Sequence, residues 1–178
     1  MKELTFLDLV ARHFDYPLHY YGFSVLYRSA ESGFGPQVTT WGAGRCIVAF
    51  VLDKGGGVLI RVGSANKAHL SAYGLPEPYF DIGVIVAFLT PEMTSEELMR
   101  FYPPSDRSQP IDLAADQELA GLAQKLRPYW ERVLALCESG DLDAHRAEFE
   151  QLSAKRHDAF MRDIFGRKDK DAADGKPG

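Results

Sequence analysis

One stretch decides the fold: Arg45-Cys-Ile-Val-Ala-Phe-Val-Leu-Asp53, then Lys54-Gly-Gly-Gly57, then Val58-Leu-Ile-Arg-Val62. It predicts two strands joined by a glycine-rich turn. The first strand is apolar at both parities, whereas a strand with one face in water alternates apolar and polar residues. We therefore expect a central strand that is covered on both faces, with helices contributing to the cover.

The residues before this stretch predict one helix and two further strands. Residues 4–14 carry apolar side chains at helical spacing, and Pro17 is expected to end that helix. Residues 23–29 alternate as a strand does, and residues 37–41 are rich in residues that favour strands. Because the strands are joined by short turns, the sequence predicts a four-stranded antiparallel β-meander.

The segment 81–89 fits two kinds of element. Its β-branched residues favour a strand, while its apolar spacing and the potential N-cap Asp81 favour a helix. We expect a short buried helix. Thr94-Ser-Glu-Glu97 has the pattern of a capping box, so residues 95–101 should also be helical.

The C-terminal part predicts two long helices. The first covers residues 113–138, and because Pro128 falls inside it we expect a kink or a break at Arg127. Ser139-Gly-Asp141 supplies a helix end and a new helix start, so the last two helices should form an antiparallel αα-hairpin. The predicted fold class is thus α+β. Residues 1–166 should form a single domain, and residues 167–178 should be a disordered charged tail because they lack large apolar side chains.

The charge distribution excludes some partners and favours another. The 178 residues have a net charge of −5, and residues 64–118 alone carry three basic and nine acidic side chains, a net charge of −6. Nucleic acid and anionic membranes attract clustered lysine and arginine, so neither is the expected partner. A basic protein is compatible with this segment. A solvated acidic loop without a partner is the alternative.

The apolar runs and the N-terminus predict a cytoplasmic protein. The runs 46–52 and 84–89 are far shorter than the roughly 20 residues of a membrane span. Acidic residues interrupt the first apolar residues, unlike in a signal peptide. Cys46 and Cys137 lie in no paired motif, so we expect reduced, buried thiols.

Catalytic and cofactor signatures are not found in the sequence. Lys54-Gly-Gly-Gly57 is followed by a strand rather than by the helix that a phosphate-binding loop needs, so it predicts a hairpin turn. The histidines do not have the spacing of a metal site. We expect no catalytic residue, no metal and no cofactor, and a protein that is more plausibly a binder than an enzyme.

Two groups of residues are candidates for binding. Acidic and aromatic side chains of the middle segment are candidates for contact with a partner protein: Glu92, Glu96, Glu97, Tyr79, Phe80 and Tyr102. Arginines on or beside the predicted strands are the alternative, as ligands of a carboxylate or phosphate: Arg28, Arg45 and Arg61. Of these two explanations for the arginines we favour ordinary solubilising strand charges, because the strand register is not known from the sequence.

The order of elements resembles a known group of proteins. A short helix and a four-stranded meander precede Asp81-Ile-Gly-Val-Ile-Val-Ala-Phe-Leu-Thr-Pro91, a helix ending in Tyr129-Trp-Glu-Arg-Val-Leu134, the turn Ser139-Gly-Asp-Leu142 and a last helix near Phe149. This layout, over residues 1 to about 165, is similar to that of small bacterial α+β proteins that include immunity proteins of toxin systems. The resemblance implies action by binding a partner rather than by catalysis, and it assigns no functional residue.

Three hypotheses follow. The first is a non-catalytic protein-binding module, of the immunity type, that neutralises a basic partner toxin. The second is a secretion or assembly chaperone that holds a peptide at a sheet edge or groove. The third is a small-molecule-binding protein or enzyme with a pocket between the sheet and the helices, lined by an arginine and an aromatic residue. The partner and the oligomeric state stay open.

Overall fold

A computed structural model describes residues 4–29, 35–65, 68–102 and 108–173, with side chains through Phe165. Within these residues the helices are α1 Phe6–His13, α2 Asp15–Tyr20, α3 Ile82–Leu89, α4 Ser95–Met99, α5 Ile111–Leu126, α6 Trp130–Ser139, α7 Asp141–Ala144 and α8 Arg146–Ala173. The strands are β1 Ser24–Arg28, β2 Gln37–Ala43, β3 Cys46–Leu52, β4 Val58–Ser64, β5 His69–Leu70, β6 Pro76–Glu77 and β7 Phe80–Asp81. The α+β fold class that the sequence predicts is confirmed.

The main sheet is antiparallel, with the strand order β1-β2-β3-β4-β7. The four-stranded meander is present, and the two-residue strand β7 adds a fifth strand beside β4. β3 is paired along its whole length on both sides, and all seven of its residues are buried. The prediction of a central strand covered on both faces is therefore confirmed.

The turn between β3 and β4 is a hairpin turn, as expected. The Asp53 carboxylate accepts hydrogen bonds from the N–H groups of Gly55 and Gly57 at 2.7 and 2.9 Å. The N–H of Gly56 donates to the Asp53 backbone carbonyl at 3.1 Å, so the three glycine N–H groups that could have bound a phosphate are already occupied by Asp53.

Different elements cover the two faces of the sheet. On one face β3 packs into the main core, where the Phe14 ring lies 4.7 Å from Phe50 and 6.1 Å from Trp130. On the other face, the Thr40 hydroxyl donates to the carbonyl of Gly74 at 2.5 Å. The segment 68–79, which holds the small β5–β6 ribbon, thus covers part of this second face.

The N-terminal helix differs from its prediction at Pro17. α1 begins with a capping box between Thr5 and Asp8 and ends at His13. Pro17 does not end the helix but lies in the first turn of α2, where its missing N–H has no intrahelical partner to lose. The expectation that Pro17 ends the first helix was wrong for this reason.

The ambiguous segment is the short buried helix α3. Asp81 is its N-cap, and its Oδ1 accepts a hydrogen bond from the N–H of Gly83 at 2.9 Å. Thr94 and Glu97 form the predicted capping box of α4. Both helix starts therefore follow the local signals in the sequence.

The C-terminal region is divided more finely than predicted. The long helix breaks at residues 127–129, between α5 and α6, so of the two alternatives at Arg127 the break is the one observed. The further division comes after α6. Gly140 has a φ of 80° and turns the chain back, with the single-turn helix α7 before α8. α8 continues to Ala173, so it extends into the segment 167–178 that the sequence predicts to be a disordered tail. Residues 174–178 lie outside the described residues. The disorder of the tail stays a prediction. In the part of the chain described, no helix is long and apolar enough to cross a membrane.

Candidate functional site

A groove of about 620 Å³ lies beside α4, and we call it the acidic groove. Its rim carries the three glutamates that the sequence singles out, Glu92, Glu96 and Glu97, and all three are exposed. Its floor includes apolar atoms of Val86, Met93, Phe101 and Tyr129. The three predicted carboxylates are thus brought to one concave surface.

The capping box at the start of α4 fixes one of these carboxylates. Glu97 Oε2 accepts hydrogen bonds from the N–H of Thr94 at 2.7 Å and from its hydroxyl at 2.9 Å. These hydrogen bonds, from the backbone first, lower the pKa of Glu97. Glu97 is therefore charged at neutral pH and is held in one orientation on the groove rim.

Two basic side chains also line the acidic groove. Lys125 Nζ donates to the carbonyl of Phe101 at 2.6 Å and lies 5.0 Å from the Phe101 ring centroid. Burial lowers the pKa of Lys125. Arg100 also lines the groove. Three carboxylates and two cations therefore line the groove, and its lining has a net negative charge.

The three aromatic candidates do not form one exposed surface. Phe80 is buried and its ring lies 4.8 Å from that of Phe149 on α8, so it is a core residue and not a surface contact. The partly buried Tyr102 hydroxyl lies 3.3 Å from the Ile60 carbonyl and 3.3 Å from Asp81 Oδ2. Tyr79 is exposed, but it does not line the acidic groove.

The three arginine candidates do not converge either. Directly paired residues share a sheet face, and the register places Arg28 and Arg61 on opposite faces: Arg28 pairs with Thr39, and Arg61 pairs with Ala49. Arg45 directly precedes β3, and its guanidinium donates to the carbonyl of Glu138 at 3.0 Å. A shared anion site formed by all three is thus not present.

Arg61 lines a second concave site, which we call the β4–α8 cleft. The cleft measures about 470 Å³ and is lined from α8 by Arg156, His157 and Phe160. Arg156 Nη1 lies 3.1 Å from Asp81 Oδ1, and its guanidinium carbon is 5.2 Å from the Tyr102 ring centroid. Sequence reasoning missed these α8 residues. Their spacing along α8 could have shown that they share one helix face. It does not predict which strand that face lies against.

Among the described residues, no group of three histidine, cysteine or acidic side chains could hold a metal ion. The histidine contacts include His13 with Asp116 at 2.7 Å and His145 with Glu148 at 3.3 Å. Each of these contacts joins one histidine to one carboxylate, which is fewer ligands than a metal site needs.

Comparison of the chain with protein-family models, with curated proteins and with solved structures finds no match in any of the three. The acidic groove and the β4–α8 cleft are therefore the features of this chain that bear on its function.

Proposed function

We propose that this protein is a protein-binding module that receives a basic segment of a partner protein in the acidic groove. The observation that carries the proposal is the convergence of Glu92, Glu96 and Glu97 on one concave surface with an apolar floor. Glu92 lies in the loop before α4, and Glu96 and Glu97 lie on α4 itself. The fold places apolar residues from distant parts of the chain beside them.

The composition of the groove suits a peptide-like ligand with both charge and apolar bulk. Protein interfaces combine an apolar centre with a polar rim, and here Met93 and Phe101 lie between charged groups. Opposite charge speeds encounter and selects the partner. The charge of −6 in residues 64–118 has the sign that attracts a basic segment.

The resemblance of the order of elements to immunity-type proteins suggests which kind of partner the groove would bind. A protein of this type would act in the cytoplasm by occupying a basic surface of a toxin domain. The groove supports such a role because it offers carboxylates to a cationic surface without itself needing a catalytic group.

The test compares two variants with the same change of net charge. Glu92→Lys with Glu96→Lys reverses the groove, and Glu97 is left intact because it caps α4. Glu131→Lys with Glu150→Lys is the matched control, because both residues are exposed and outside the groove. The probes are fluorescent peptides that alternate lysine or arginine with apolar residues, together with the tagged protein's own partners captured from native cells.

The groove variant should lower the affinity for basic peptides about tenfold or more, while the control should change it about twofold at most. Binding should weaken as salt is added. Capture of one stoichiometric basic protein by the wild type and the control, but not by the groove variant, would extend the result to a natural partner. Equal peptide affinity of the two double variants would refute the proposal.

A further inference from the structure

The β4–α8 cleft holds two arginines that approach from facing elements. Arg61 comes from the sheet, and its guanidinium carbon lies 4.5 Å from the centroid of the Tyr79 ring. Arg156 comes from α8 and is held by Asp81 at 3.1 Å. We propose that this cleft binds a small organic carboxylate with an apolar body, independently of the acidic groove.

The charges in the cleft favour a bound anion. Two guanidinium groups line it, whereas Asp81 is the only carboxylate among its described lining residues. Asp81 already accepts from the N–H of Gly83 at 2.9 Å and from Arg156 at 3.1 Å. In the described part of the chain Arg61 has no ion-pair partner within 4.0 Å, so one cation is left to meet a ligand.

The surroundings of Asp81 argue for a singly charged anion. The N–H of Gly83 at the start of α3 is the group that a phosphate would use, and the Asp81 side chain occupies it. A guanidinium group presents parallel N–H donors that match the two oxygens of a carboxylate. With Asp81 neutralising one arginine, the remaining charge matches a monocarboxylate better than a phosphate dianion.

The rest of the cleft is suited to an apolar ligand body. Leu59, Val84, Met99 and Phe160 contribute apolar surface. Phe160 is 49% exposed, which is high for a side chain of this size on a helix that packs against α3 and α4. Covering it with an aromatic or aliphatic group removes apolar area from water, which stabilises the complex.

The experiment uses benzoate, 3-phenylpropanoate and hexanoate as probes. Inorganic phosphate and phenyl phosphate test the alternative anion, and benzamide tests the apolar body without the charge. Binding to the full chain is measured by ¹H–¹⁵N NMR titration, and the arginine Nε–H signals are followed together with the backbone of β4 and α8. We expect saturable shifts for the carboxylates at concentrations of about 1 mM or below, centred on Arg61 and residues 153–160.

Arg61→Gln should weaken carboxylate binding about tenfold or more. Arg28→Gln is the matched control, since Arg28 is also a strand arginine but lies outside the cleft, and it should leave binding unchanged. Phe160→Ala should weaken 3-phenylpropanoate binding without unfolding the chain, because Phe160 is half-exposed. Thermal unfolding of each variant checks the fold.

Three results would overturn the proposal: no saturable shift with any carboxylate, equal binding by the Arg61→Gln and Arg28→Gln variants, or tighter binding of phosphate or benzamide than of benzoate. The Glu92→Lys/Glu96→Lys variant should keep full carboxylate binding. Failure of the acidic groove and failure of the cleft can therefore be told apart.

Discussion

The sulfur atoms of Cys46 and Cys137 lie 2.9 Å apart, although the two residues are separated by 91 positions in the chain. Cys46 begins the central strand β3 and Cys137 lies on α6, and both side chains are fully buried. The thiol contact with Cys137 and burial raise the pKa of Cys46 well above its ordinary value. The thiols are free, as the sequence predicts, but they are also positioned to react with each other.

Oxidation should join these two cysteines. A small-molecule disulfide would accept two electrons and two protons from the pair and leave as two thiols. A bond of about 2.05 Å requires the sulfur atoms to move about 0.9 Å closer than the present 2.9 Å. Because the loop closed is long, the crosslink should raise the free energy of unfolding by about 2 to 4 kcal/mol.

The measurement is urea unfolding of the reduced and oxidised protein, with mass spectrometry of the linked peptides. The reaction should be slow, since a raised pKa leaves little thiolate. Cys46→Ala and Cys137→Ala should each abolish both the crosslink and the stabilisation. An oxidised wild type that still carries two titratable thiols after unfolding would contradict this prediction.

Glu118 should make stability depend on pH near neutrality. It is buried on α5, and among the described residues its Oε2 has no hydrogen-bond partner. Burial, and to a smaller extent the charge of Asp53, raise the pKa of Glu118 to about 7. Because the folded pKa lies above the unfolded value, its contribution to stability is fully present below about pH 4.5 and is lost as pH rises through about 7.

Glu118→Gln should therefore stabilise the protein at about pH 8 by on the order of 1 to 3 kcal/mol, with little effect at about pH 4. Urea unfolding across this pH range measures the difference. Glu150→Gln serves as a control, because Glu150 is exposed on α8 and should give a flat difference. A Glu118→Gln effect that is equally large at both pH values would assign it to packing rather than to ionisation.

Thr39 and Thr40 are neighbours in β2 and form a matched pair for testing the effect of a buried hydroxyl on stability. The buried Thr40 hydroxyl donates to the Gly74 carbonyl at 2.5 Å, whereas the Thr39 hydroxyl, within the described structure, is buried without a partner. Thr40→Val should cost about 1 to 2 kcal/mol, because it removes a hydrogen bond and leaves the carbonyl unpaired. Thr39→Val should be neutral or stabilising, because it removes an unpaired polar group. Chemical unfolding measures the free energy of unfolding of both variants. An equal loss of this free energy in the two variants would contradict the different roles of the two hydroxyls.

Gly74 and Gly140 separate backbone strain from steric overlap. Their φ angles are similar, 76° and 80°, but a Cβ at Gly74 would lie 1.9 Å from the Tyr27 ring while one at Gly140 meets nothing within 4 Å. Gly140→Ala should cost about 1 kcal/mol from its left-handed backbone alone. Gly74→Ala should cost at least about 1 kcal/mol more, because the Tyr27 ring must move.

Thermal unfolding of the two glycine variants measures this difference. The double variant Gly74→Ala with Tyr27→Ala is the internal check, since removal of the ring should recover part of the excess loss. Equal destabilisation by Gly74→Ala and Gly140→Ala would show that the segment 68–79 moves freely on the sheet.

The elements that the sequence predicts well are those with local signals. Burial of β3 follows from its apolar residues at both parities, and the starts of α3 and α4 follow from Asp81 and from the Thr94–Glu97 capping box. These patterns involve residues within a few positions of one another. The meander likewise follows from short turns between consecutive strands.

Contacts between distant segments could not be predicted in this way. Nothing near Phe80 indicates that Phe149 packs on its ring, and nothing near Arg61 indicates that Arg156 faces it across the cleft. Such pairs depend on how α8 docks, which is set by the packing of the whole core. The acidic groove is intermediate, since its glutamates are close in sequence but its floor is not.

The strands at both edges of the main sheet are poorly suited to pairing with a further strand. The edge strand β7 has only two residues, and at the other edge the register of β1 shifts between Val25 and Tyr27. Val25 and Leu26 are 44% and 47% exposed, so this edge displays apolar side chains. The shift interrupts the row of free N–H and C=O groups that another copy would need in order to pair with it. The irregularity in β1 thus disfavours edge-to-edge aggregation of this apolar edge strand into a fibre.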